Sequence, residues 1–437
     1  MRRALILALL ATIAVAATAP PASARAPWKR RIDRIRRSRS IDVSVGVGGS
    51  FLYGENASDR RVPASNEKLL LSMALLDELG PRARLATVAA TGTRRGRVVR
   101  GNLWLLGTGD PTVTGGGRYG RALPLRPTRL AALARRVHES GVRRIEGRVM
   151  GRTTYFGRDW WAPGWKPEFP SEEVALPTSL TFEGNVRAGR HTRTPELYAA
   201  RAMTRRLEDA GVRVVGRPGT GDPPRDLGEV ARVRSVRLAS LLRHMNFVSS
   251  NFFAEVLGKR LAVERYGRPG TIAGAGRAIE AWARRAGVDV TARDGSGLSY
   301  DNRASPRGIV RLLTAARAAS WGTNLRTTLP AAGKGTLEDR LGGVRVRAKT
   351  GTLDEISTLS GWVWLRRSDT WAEFSIMSRG MPKGVAADVE DRIVAIVADR
   401  ARAPAPAATA IVPDASLWRD VLAAVRAPLV ALALASG

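Results

Sequence analysis

The sequence predicts an α/β (α+β) fold in which an antiparallel sheet is flanked by helices and an inserted α/β domain interrupts the chain. Two apolar, β-rich runs at 359–367 and 371–378 follow each other closely, as adjacent antiparallel strands do. Between 84 and 232 the sequence pattern changes to that of an inserted domain: short strand-like runs alternate with helices and with loops rich in glycine and proline. Helical patterns then dominate from 237 to about 319.

The segment before the insert predicts a short helix, two strands and a longer helix. Residues 25–40 are basic and predict a short helix. Alternating valines predict a strand over 41–47, which pairs with 51–53 after a Gly-Gly turn. Apolar residues at helical spacing predict a helix over 65–79, and Ser65 stands near its start, a position that serine favours.

The remaining elements follow from the same periodicities. Within the insert we predict strands at Leu85–Thr91, Val98–Leu106 and Arg144–Met150, and helices at 128–140 and 197–210. After the insert we predict helices at 237–246, 250–266, 271–287, 306–318 and 386–400. The predicted organisation begins with a signal peptide at 1–24. A catalytic domain follows in two parts, at 25–83 and 233–400, and the inserted domain at 84–232 lies between them. An Ala/Pro linker with an apolar tail follows at 401–437.

The first residues have the order of a secretory signal. Two arginines after Met1 precede an apolar run from 4 to about 17, and Ala22-Ser23-Ala24 follows as a cleavage triplet. A membrane anchor is the alternative, but the run is short for a span. The tail after 411 is interrupted by Arg426 and Pro428, so we expect a docked or loosely ordered helix there and no stable membrane span. The chain is therefore expected to be exported, to the cell wall, the extracellular space or a periplasm.

The charge predicts an anionic environment rather than a nucleic-acid partner. The net charge is +32 and the isoelectric point about 11.6. The arginines are spread along the whole chain, and neither an arginine-rich arm nor a zinc-finger spacing appears. For an exported protein, this charge favours attraction to anionic cell-wall polymers.

Three short strings carry the chemistry: Ser65-Asn66-Glu67-Lys68, Ser249-Ser250-Asn251 and Lys349-Thr350-Gly351-Thr352. Of 71 basic residues only seven are lysine, and two of these stand in the motifs. Arginine cannot accept a proton at ordinary pH, whereas a desolvated lysine can. In this order the strings describe a serine acyl-transfer site whose base is lysine.

Each string has a structural alternative. Ser65 and Lys68 would lie one turn apart on the same face of a helix. Lys68 can take the serine proton if burial, the helix dipole and a second cation at Lys349 suppress its own charge. The alternative is a solvated lysine near a helix cap. Ser249 relays a proton and the Asn251 amide holds a peptide-like substrate; a helix N-cap is the alternative.

The third string follows an alternating run and is predicted to lie on a strand. Lys349 and Thr350 would meet a carboxylate, and Gly351 would let the substrate backbone approach the strand closely. The N–H groups of Ser65 and Thr352 would form an oxyanion hole. An exposed edge strand with a basic residue is the alternative.

Together the motifs resemble those of the penicillin-binding-protein and serine β-lactamase superfamily, and within it the class C low-molecular-mass D-alanyl-D-alanine carboxypeptidase/endopeptidases. The segments at 105–111, 294–299 and 329–337, with Asn302-Arg303, support that subgroup, and the resemblance covers roughly 40 to 400. The distance from Ser65 to Ser249 is 184 residues, which is short for the subgroup and leaves room for one inserted domain where the largest members carry two.

The resemblance implies a role for each motif residue. Ser65 would be the acylated nucleophile, Lys68 its base and Ser249 a proton relay. Asn251 would hold the substrate, and Lys349 and Thr350 the terminal carboxylate of a peptidoglycan stem peptide. The reaction implied is hydrolysis of a D-alanyl-D-alanine bond through an acyl-enzyme, with β-lactams as covalent inhibitors and no metal or cofactor.

Other classes of function fit less well. A Ser-His-Asp hydrolase has only His138, His191 and His244 to draw on, and no H-E-x-x-H zinc motif occurs. A serine β-lactamase-like hydrolase remains an alternative, although its motifs are not usually separated by such an insert. So does a non-catalytic peptidoglycan-binding protein, in which Trp160, Trp161 or Trp165 would stack on sugar rings.

Overall fold

The computed structural model describes residues 26–403. The predicted signal peptide at 1–24 and the predicted linker and tail from Pro404 onward lie outside these residues. The helices are α1 (Pro27–Arg36), α2 (Glu67–Leu79), α3 (Arg118–Ala122), α4 (Leu130–Glu139), α5 (Phe169–Glu172), α6 (Pro195–Asp209), α7 (Leu238–Phe247), α8 (Asn251–Tyr266), α9 (Ile272–Arg285), α10 (Pro306–Ala318), α11 (Gly322–Thr328) and α12 (Lys383–Arg400). The strands are β1 (Ser40–Val47), β2 (Ser50–Glu55), β3 (Ala86–Thr91), β4 (Arg94–Arg95), β5 (Val98–Val99), β6 (Leu103–Gly107), β7 (Arg144–Ile145), β8 (Val149–Arg152), β9 (Val186–Arg187), β10 (Arg190–His191), β11 (Arg213–Val214), β12 (Gly219–Gly221), β13 (Gly228–Arg234), β14 (Val346–Leu353), β15 (Ile356–Leu365) and β16 (Thr370–Arg379).

The central sheet joins the two ends of the described chain. Its order is β14-β15-β16-β1-β2, and every neighbouring pair is antiparallel. The predicted pairing of 359–367 with 371–378 is present as β15 and β16. One face packs on α1 and α12, and the other packs on α10 and the helices around α2. The sheet is therefore buried on both faces, which explains the long apolar runs in β15 and β16.

The insert has its own sheets and its own core. A five-stranded sheet has the order β12-β8-β6-β3-β13, and a smaller one the order β11-β7-β5-β4. Helices α4 and α6 pack together over these strands around a separate apolar cluster. The prediction of single strands over Val98–Leu106 and Arg144–Met150 is wrong, because each run is split between the two sheets. The crossing occurs at Gly101 and Gly147, where a Cβ on Gly147 would lie 2.5 Å from the Gly101 carbonyl oxygen.

The stretch between β8 and α6 leaves these sheets and packs on the part of the protein formed by residues 26–83 and 233–403, the catalytic half. Trp165 and Phe169 form an apolar cluster with Ile272 of α9 and Leu298. This stretch brings residues from the middle of the insert next to the loop at 294–299, which lies beneath the candidate site. No helix between residues 26 and 403 is long and apolar enough to cross a membrane.

Candidate active site

Ser65 lies in a tight turn that leads directly into α2. Residues Ala64–Asn66 form one turn of 3-10 helix, and Ala64 has a φ of +47°. The carbonyl oxygen of Pro63 accepts hydrogen bonds from the Asn66 N–H at 3.1 Å and from the Thr358 hydroxyl at 2.9 Å. The turn that carries Ser65, called here the nucleophile turn after the role expected for Ser65, is thus tied to β15, and the Ser65 side chain stays half-buried at the start of the helix.

Lys68 points back at Ser65 from one turn further along α2. Its Nζ lies 2.9 Å from Ser65 Oγ, 2.7 Å from Asn251 Oδ1 and 2.6 Å from the Ser296 carbonyl oxygen. The latter two oxygens only accept hydrogen bonds. A neutral Lys68 therefore donates its two N–H groups to Asn251 and Ser296, which directs its lone pair at the Ser65 hydroxyl.

Burial prepares Lys68 for this role. The side chain is fully buried, and desolvation lowers its pKa from 10.5 to about 8. The carboxyl groups of Asp294, Glu255, Glu173 and Glu67 act in the opposite direction and limit the fall. The solvated lysine that the sequence left open as an alternative is not what the structure contains.

A cluster of buried acids under Lys68 was not recognised in the sequence. Asp294 accepts hydrogen bonds from the N–H groups of Gly297 and Ser299, and Glu255 accepts from those of Gly295 and Ser296. These bonds hold the loop that presents the Ser296 carbonyl oxygen to Lys68. Burial raises the pKa of Glu255 to about 8 and raises that of Glu67 well above its usual value.

Ser249 and Lys349 form the second pair of the site. Ser249 lies between α7 and α8 with a φ of +54°, and its Oγ is 2.9 Å from Lys349 Nζ. The same Nζ donates to the Thr350 carbonyl oxygen at 2.6 Å. Lys349 is fully buried, and burial together with the Lys68 charge holds its pKa well below 10.5. The N-cap of α8 is the neighbouring Ser250, which accepts from the Phe253 N–H, so capping does not occupy Ser249.

Asn251 joins Lys68 to the insert. Its Oδ1 accepts from Lys68, and its Nδ2 lies 3.1 Å from Glu173 Oε2. A carboxylate cannot donate, so this contact fixes which way the amide points. Glu173 comes from the stretch between β8 and α6, and no sequence signal identified it.

Gly351 lies close to neighbours within the protein itself. A Cβ there would lie 2.3 Å from Thr358 Oγ1 and 2.9 Å from the Ser65 nitrogen. Its immediate neighbours are therefore the nucleophile turn and β15. The lack of a side chain lets β14 lie against Ser65.

The open edge of β14 faces away from β15. The Ala348 N–H donates to the Pro330 carbonyl oxygen, which lies outside the sheet. Alternate N–H groups along a strand point the same way, so those of Thr350 and Thr352 also point to the open edge. The Thr350 side chain is half-buried and that of Thr352 exposed.

The residues of the rival classes lie elsewhere. His244 packs on Phe253 with ring centroids 4.6 Å apart, and burial lowers its pKa. Trp165 is buried and donates its Nε1–H to Asp294 at 2.7 Å, so it serves packing between insert and catalytic half. Trp160 donates to the Val174 carbonyl oxygen, whereas Trp161 is exposed. Within residues 26–403 no group of His, Asp and Glu side chains is arranged to hold a metal ion.

Known proteins resemble this chain over most of its length. The sequence matches the D-Ala-D-Ala carboxypeptidase 3 (S13) family over residues 41–175 and 171–400. A D-alanyl-D-alanine carboxypeptidase of Actinomadura sp. is 27% identical, over 82% of this chain and 80% of the relative. A carboxypeptidase of Mycobacterium tuberculosis is 30% identical, over 72% of this chain and 71% of the relative.

Solved structures share the fold. Penicillin-binding protein 4 of Haemophilus influenzae superposes with a TM-score of 0.73 at 19% identity, over 84% of this chain and 99% of that chain. The same protein is also known in complex with a β-lactam. A predatory peptidoglycan endopeptidase of Bdellovibrio bacteriovorus gives a TM-score of 0.53 at 15% identity, over 84% and 96% of the two chains. The fold class predicted from the sequence is confirmed.

Proposed function

This chain belongs to the D-Ala-D-Ala carboxypeptidase 3 (S13) family of serine peptidases, and from that premise we propose that it hydrolyses D-alanyl-D-alanine bonds of peptidoglycan stem peptides through an acyl-enzyme on Ser65. The observation that carries the proposal is the orientation of Lys68. Two of its three contacts are with carbonyl oxygens, so in the neutral state its lone pair is directed at the Ser65 hydroxyl, 2.9 Å away.

Acylation follows from this arrangement. Lys68 Nζ takes the Ser65 proton as Oγ attacks the carbonyl carbon of the penultimate D-alanine. The N–H groups of Ser65 and Thr352 would stabilise the resulting oxyanion, and two observations support that pairing: Thr352 N–H points to the open edge, and β14 lies against Ser65.

Breakdown of the intermediate needs a proton for the leaving amine. Ser249 Oγ, held by its 2.9 Å hydrogen bond with Lys349 Nζ, would supply it and would be reprotonated by the proton that Lys68 took from Ser65, which returns Lys68 to its neutral state. The C–N bond breaks, D-alanine or the amine of a cross-link leaves, and an ester remains on Ser65. Water then attacks the ester, Lys68 takes a proton from that water, and Ser65 Oγ leaves and is reprotonated. Asn251 would hold the substrate amide, and Thr350 with Lys349 its terminal carboxylate.

The setting proposed for this reaction is the cell wall. The signal-like order of residues 1–24 supports export, and the net charge of +32 supports attraction to anionic wall polymers. β-Lactams resemble the scissile peptide and would acylate the same serine, so we propose that penicillin binds covalently.

Fluorescent penicillin tests the nucleophile. Wild type and Ser320→Ala, a change at an exposed serine between α10 and α11, are expected to be labelled, and Ser65→Ala is not. Labelling that persists in Ser65→Ala would refute the assignment. Release of D-alanine from a pentapeptide then identifies a carboxypeptidase, and cleavage of a cross-linked dimer alone identifies an endopeptidase. A protein that does neither is a wall-binding member of the family.

A further inference from the structure

A large open cleft lies where the chain passes between the catalytic half and the insert. Its volume is about 1000 Å³. Its lining includes residues of the two crossing segments, the stretches around 84 and 235 where the chain enters and leaves the insert. Hydrogen bonds join these segments, from the Leu85 N–H to Ser235 Oγ at 3.0 Å and from the Ser235 N–H to the Leu85 carbonyl oxygen at 2.8 Å. None of the predicted active-site residues lines this cleft. Whatever it binds, it binds apart from Ser65.

Seven arginines line the cleft. The insert's helix α4 and the loop before it contribute Arg126, Arg129, Arg135 and Arg136. Strand β13 and the crossing segment contribute Arg84, Arg232 and Arg234. Arginine makes up 64 of the 437 residues, so a random set of the same thirteen lining residues would include about two.

Secondary structure aligns these side chains. Arg129, which caps the start of α4, and positions 132 and 136 within the helix lie on one face, because residues three and four apart are neighbours on a helix. Arg232 and Arg234 lie on one face of β13, two residues apart, and the intervening Val233 points into the core. Strand β13 is an edge strand of the five-stranded sheet. Four of the seven arginines therefore form two rows along the cleft, Arg129 with Arg136 on the helix side and Arg232 with Arg234 on the strand side.

Most of these guanidinium groups have no protein acceptor. Arg84 donates to the Ser235 carbonyl oxygen, Arg136 to the Arg232 carbonyl oxygen, and Arg232 pairs with Glu229. Among residues 26–403, the side chains of Arg126, Arg129, Arg135 and Arg234 make no hydrogen bond, ion pair or ring contact with the protein, and all four are exposed. Each retains its full set of donors for a ligand.

No acidic side chain lines the cleft. Another basic cleft, at Arg31, Arg34 and Arg392, also includes Asp399. The cleft at Lys166 includes Asp354, with which that lysine pairs. Such acids neutralise part of the charge of those clefts. In the arginine cleft only Arg232 is paired with an acid, Glu229, which lies outside the lining, so the cleft favours an anion of several charges.

We infer that the arginine cleft is a binding site for the phosphodiester groups of a linear anionic polymer, of the polyol-phosphate kind. A guanidinium fork matches two phosphate oxygens, and it does so better than the point charge of a lysine. Two rows of such forks along an open cleft fit an extended chain that repeats its phosphates, rather than a compact anion. The cleft would hold the enzyme on the polymer and leave Ser65 accessible.

Binding of a fluorescent oligo(glycerol phosphate) of ten units, measured by anisotropy, tests the inference. The cleft variant changes Arg129, Arg135 and Arg234 to Gln. The matched control changes Arg37, Arg265 and Arg284 to Gln, which are also exposed but lie outside the cleft. We expect the cleft variant to bind at least ~30-fold more weakly at 50 mM salt and to lose about 2 from the slope of log K against log salt, and the control to change less than about threefold.

Three further binding measurements test whether the cleft recognises phosphate rather than negative charge alone. A variant with lysine at the three cleft positions is expected to lose about fivefold, because it keeps the charge and loses the forks. Poly-L-glutamate of equal charge is expected to bind more weakly and to respond equally to both Gln variants. A ten-residue thymidine oligonucleotide is expected to bind no more tightly than the glycerol phosphate oligomer.

Three results would overturn the inference. Equal losses in the cleft and control variants mean that overall charge does the binding. If poly-L-glutamate binds as tightly as the phosphate oligomer and loses the same affinity in the cleft variant, the cleft does not recognise phosphate. An oligonucleotide bound more than about tenfold tighter through the same arginines means a nucleic-acid site. An unchanged melting temperature and unchanged penicillin labelling show that a variant is folded. If the triple variant fails to fold, the single changes Arg135→Gln and Arg234→Gln replace it, and each is expected to weaken binding about threefold.

Discussion

Asn251 Oδ1 lies 2.7 Å from Lys68 Nζ, and the other end of the same amide lies 3.1 Å from Glu173. The amide thus lies between the lysine and a carboxylate whose charge raises the lysine pKa. It also presents only an acceptor to the lysine, which leaves the lysine lone pair for Ser65. Asn251 therefore affects how readily Lys68 acts as a base, in addition to any contact with substrate.

Replacing this amide by a carboxylate is expected to move the pH dependence. In Asn251→Asp, a negative charge next to Lys68 favours its ammonium form, so the midpoint of the acylation profile should rise by about one pH unit. The measurement is the rate of penicillin labelling between pH 5 and 10. Asn251→Ala removes the acceptor without adding charge and should lower the rate without raising the midpoint. An unchanged midpoint in the Asp variant would show that Lys68 is not the titrating base.

The pH profile of the wild type follows from the Lys68 pKa of about 8. Only neutral Lys68 accepts a proton, so acylation should be fastest above pH 8 and fall as the pH decreases. At pH 6 the rate is expected to be roughly a hundredth of the plateau value. Pre-steady-state labelling checks this, since the later water step does not contribute. A rate independent of pH from 6 to 9 would contradict the assignment of Lys68 as base.

Glu255 is expected to position the Lys68 acceptor rather than to react. Glu255→Gln keeps an oxygen for the Gly295 and Ser296 N–H groups and removes the charge that Glu255 carries above its pKa of about 8, so acylation should persist with a midpoint at slightly lower pH. Glu255→Ala leaves both N–H groups unsatisfied and should reduce the free energy of unfolding by about 2–4 kcal/mol and slow acylation at every pH. Equal losses in both variants would mean that the charge itself is needed.

Gly351→Ala is expected to separate β14 from the nucleophile turn. Its Cβ would collide with Thr358 and approach the Ser65 nitrogen, so unfolding free energy should fall by about 1–3 kcal/mol and acylation should slow at least ~10-fold. Gly342→Ala is the control, since nothing lies within 4 Å of its Cβ position. It should change the unfolding free energy by less than about 0.5 kcal/mol. Wild-type acylation by Gly351→Ala would show that this close approach has no part in catalysis.

Local periodicity was sufficient to predict most elements of the catalytic half. Helices α2, α7, α8 and α10 lie within two residues of their predicted bounds, because each carries a regular apolar face. The insert was predicted less well. Its strands are short and change sheet at Gly101 and Gly147, and a change of partner has no signature in a one-dimensional pattern.

The motif residues could be placed in one site from their order along the chain, whereas the residues that tune them could not. Glu255 lies on α8 like any acid on a helix, and it is buried only because a loop about forty residues later supplies two N–H groups. Glu173 reaches Asn251 because the insert folds back on the catalytic half. Such partners depend on tertiary structure, and neither spacing nor composition encodes them.

The position of β1 in the central sheet means that the candidate site is assembled late during synthesis. That strand precedes Ser65 along the chain, yet it pairs on one side with β16, which is completed only at Arg379. A chain that emerges N-terminus first therefore carries its nucleophile for some three hundred residues before the lysine strand can dock beside it. Such distant pairing makes folding slow, and partly emerged chains lack an assembled candidate site. That site is complete only when the chain has been released to about residue 379 of 437.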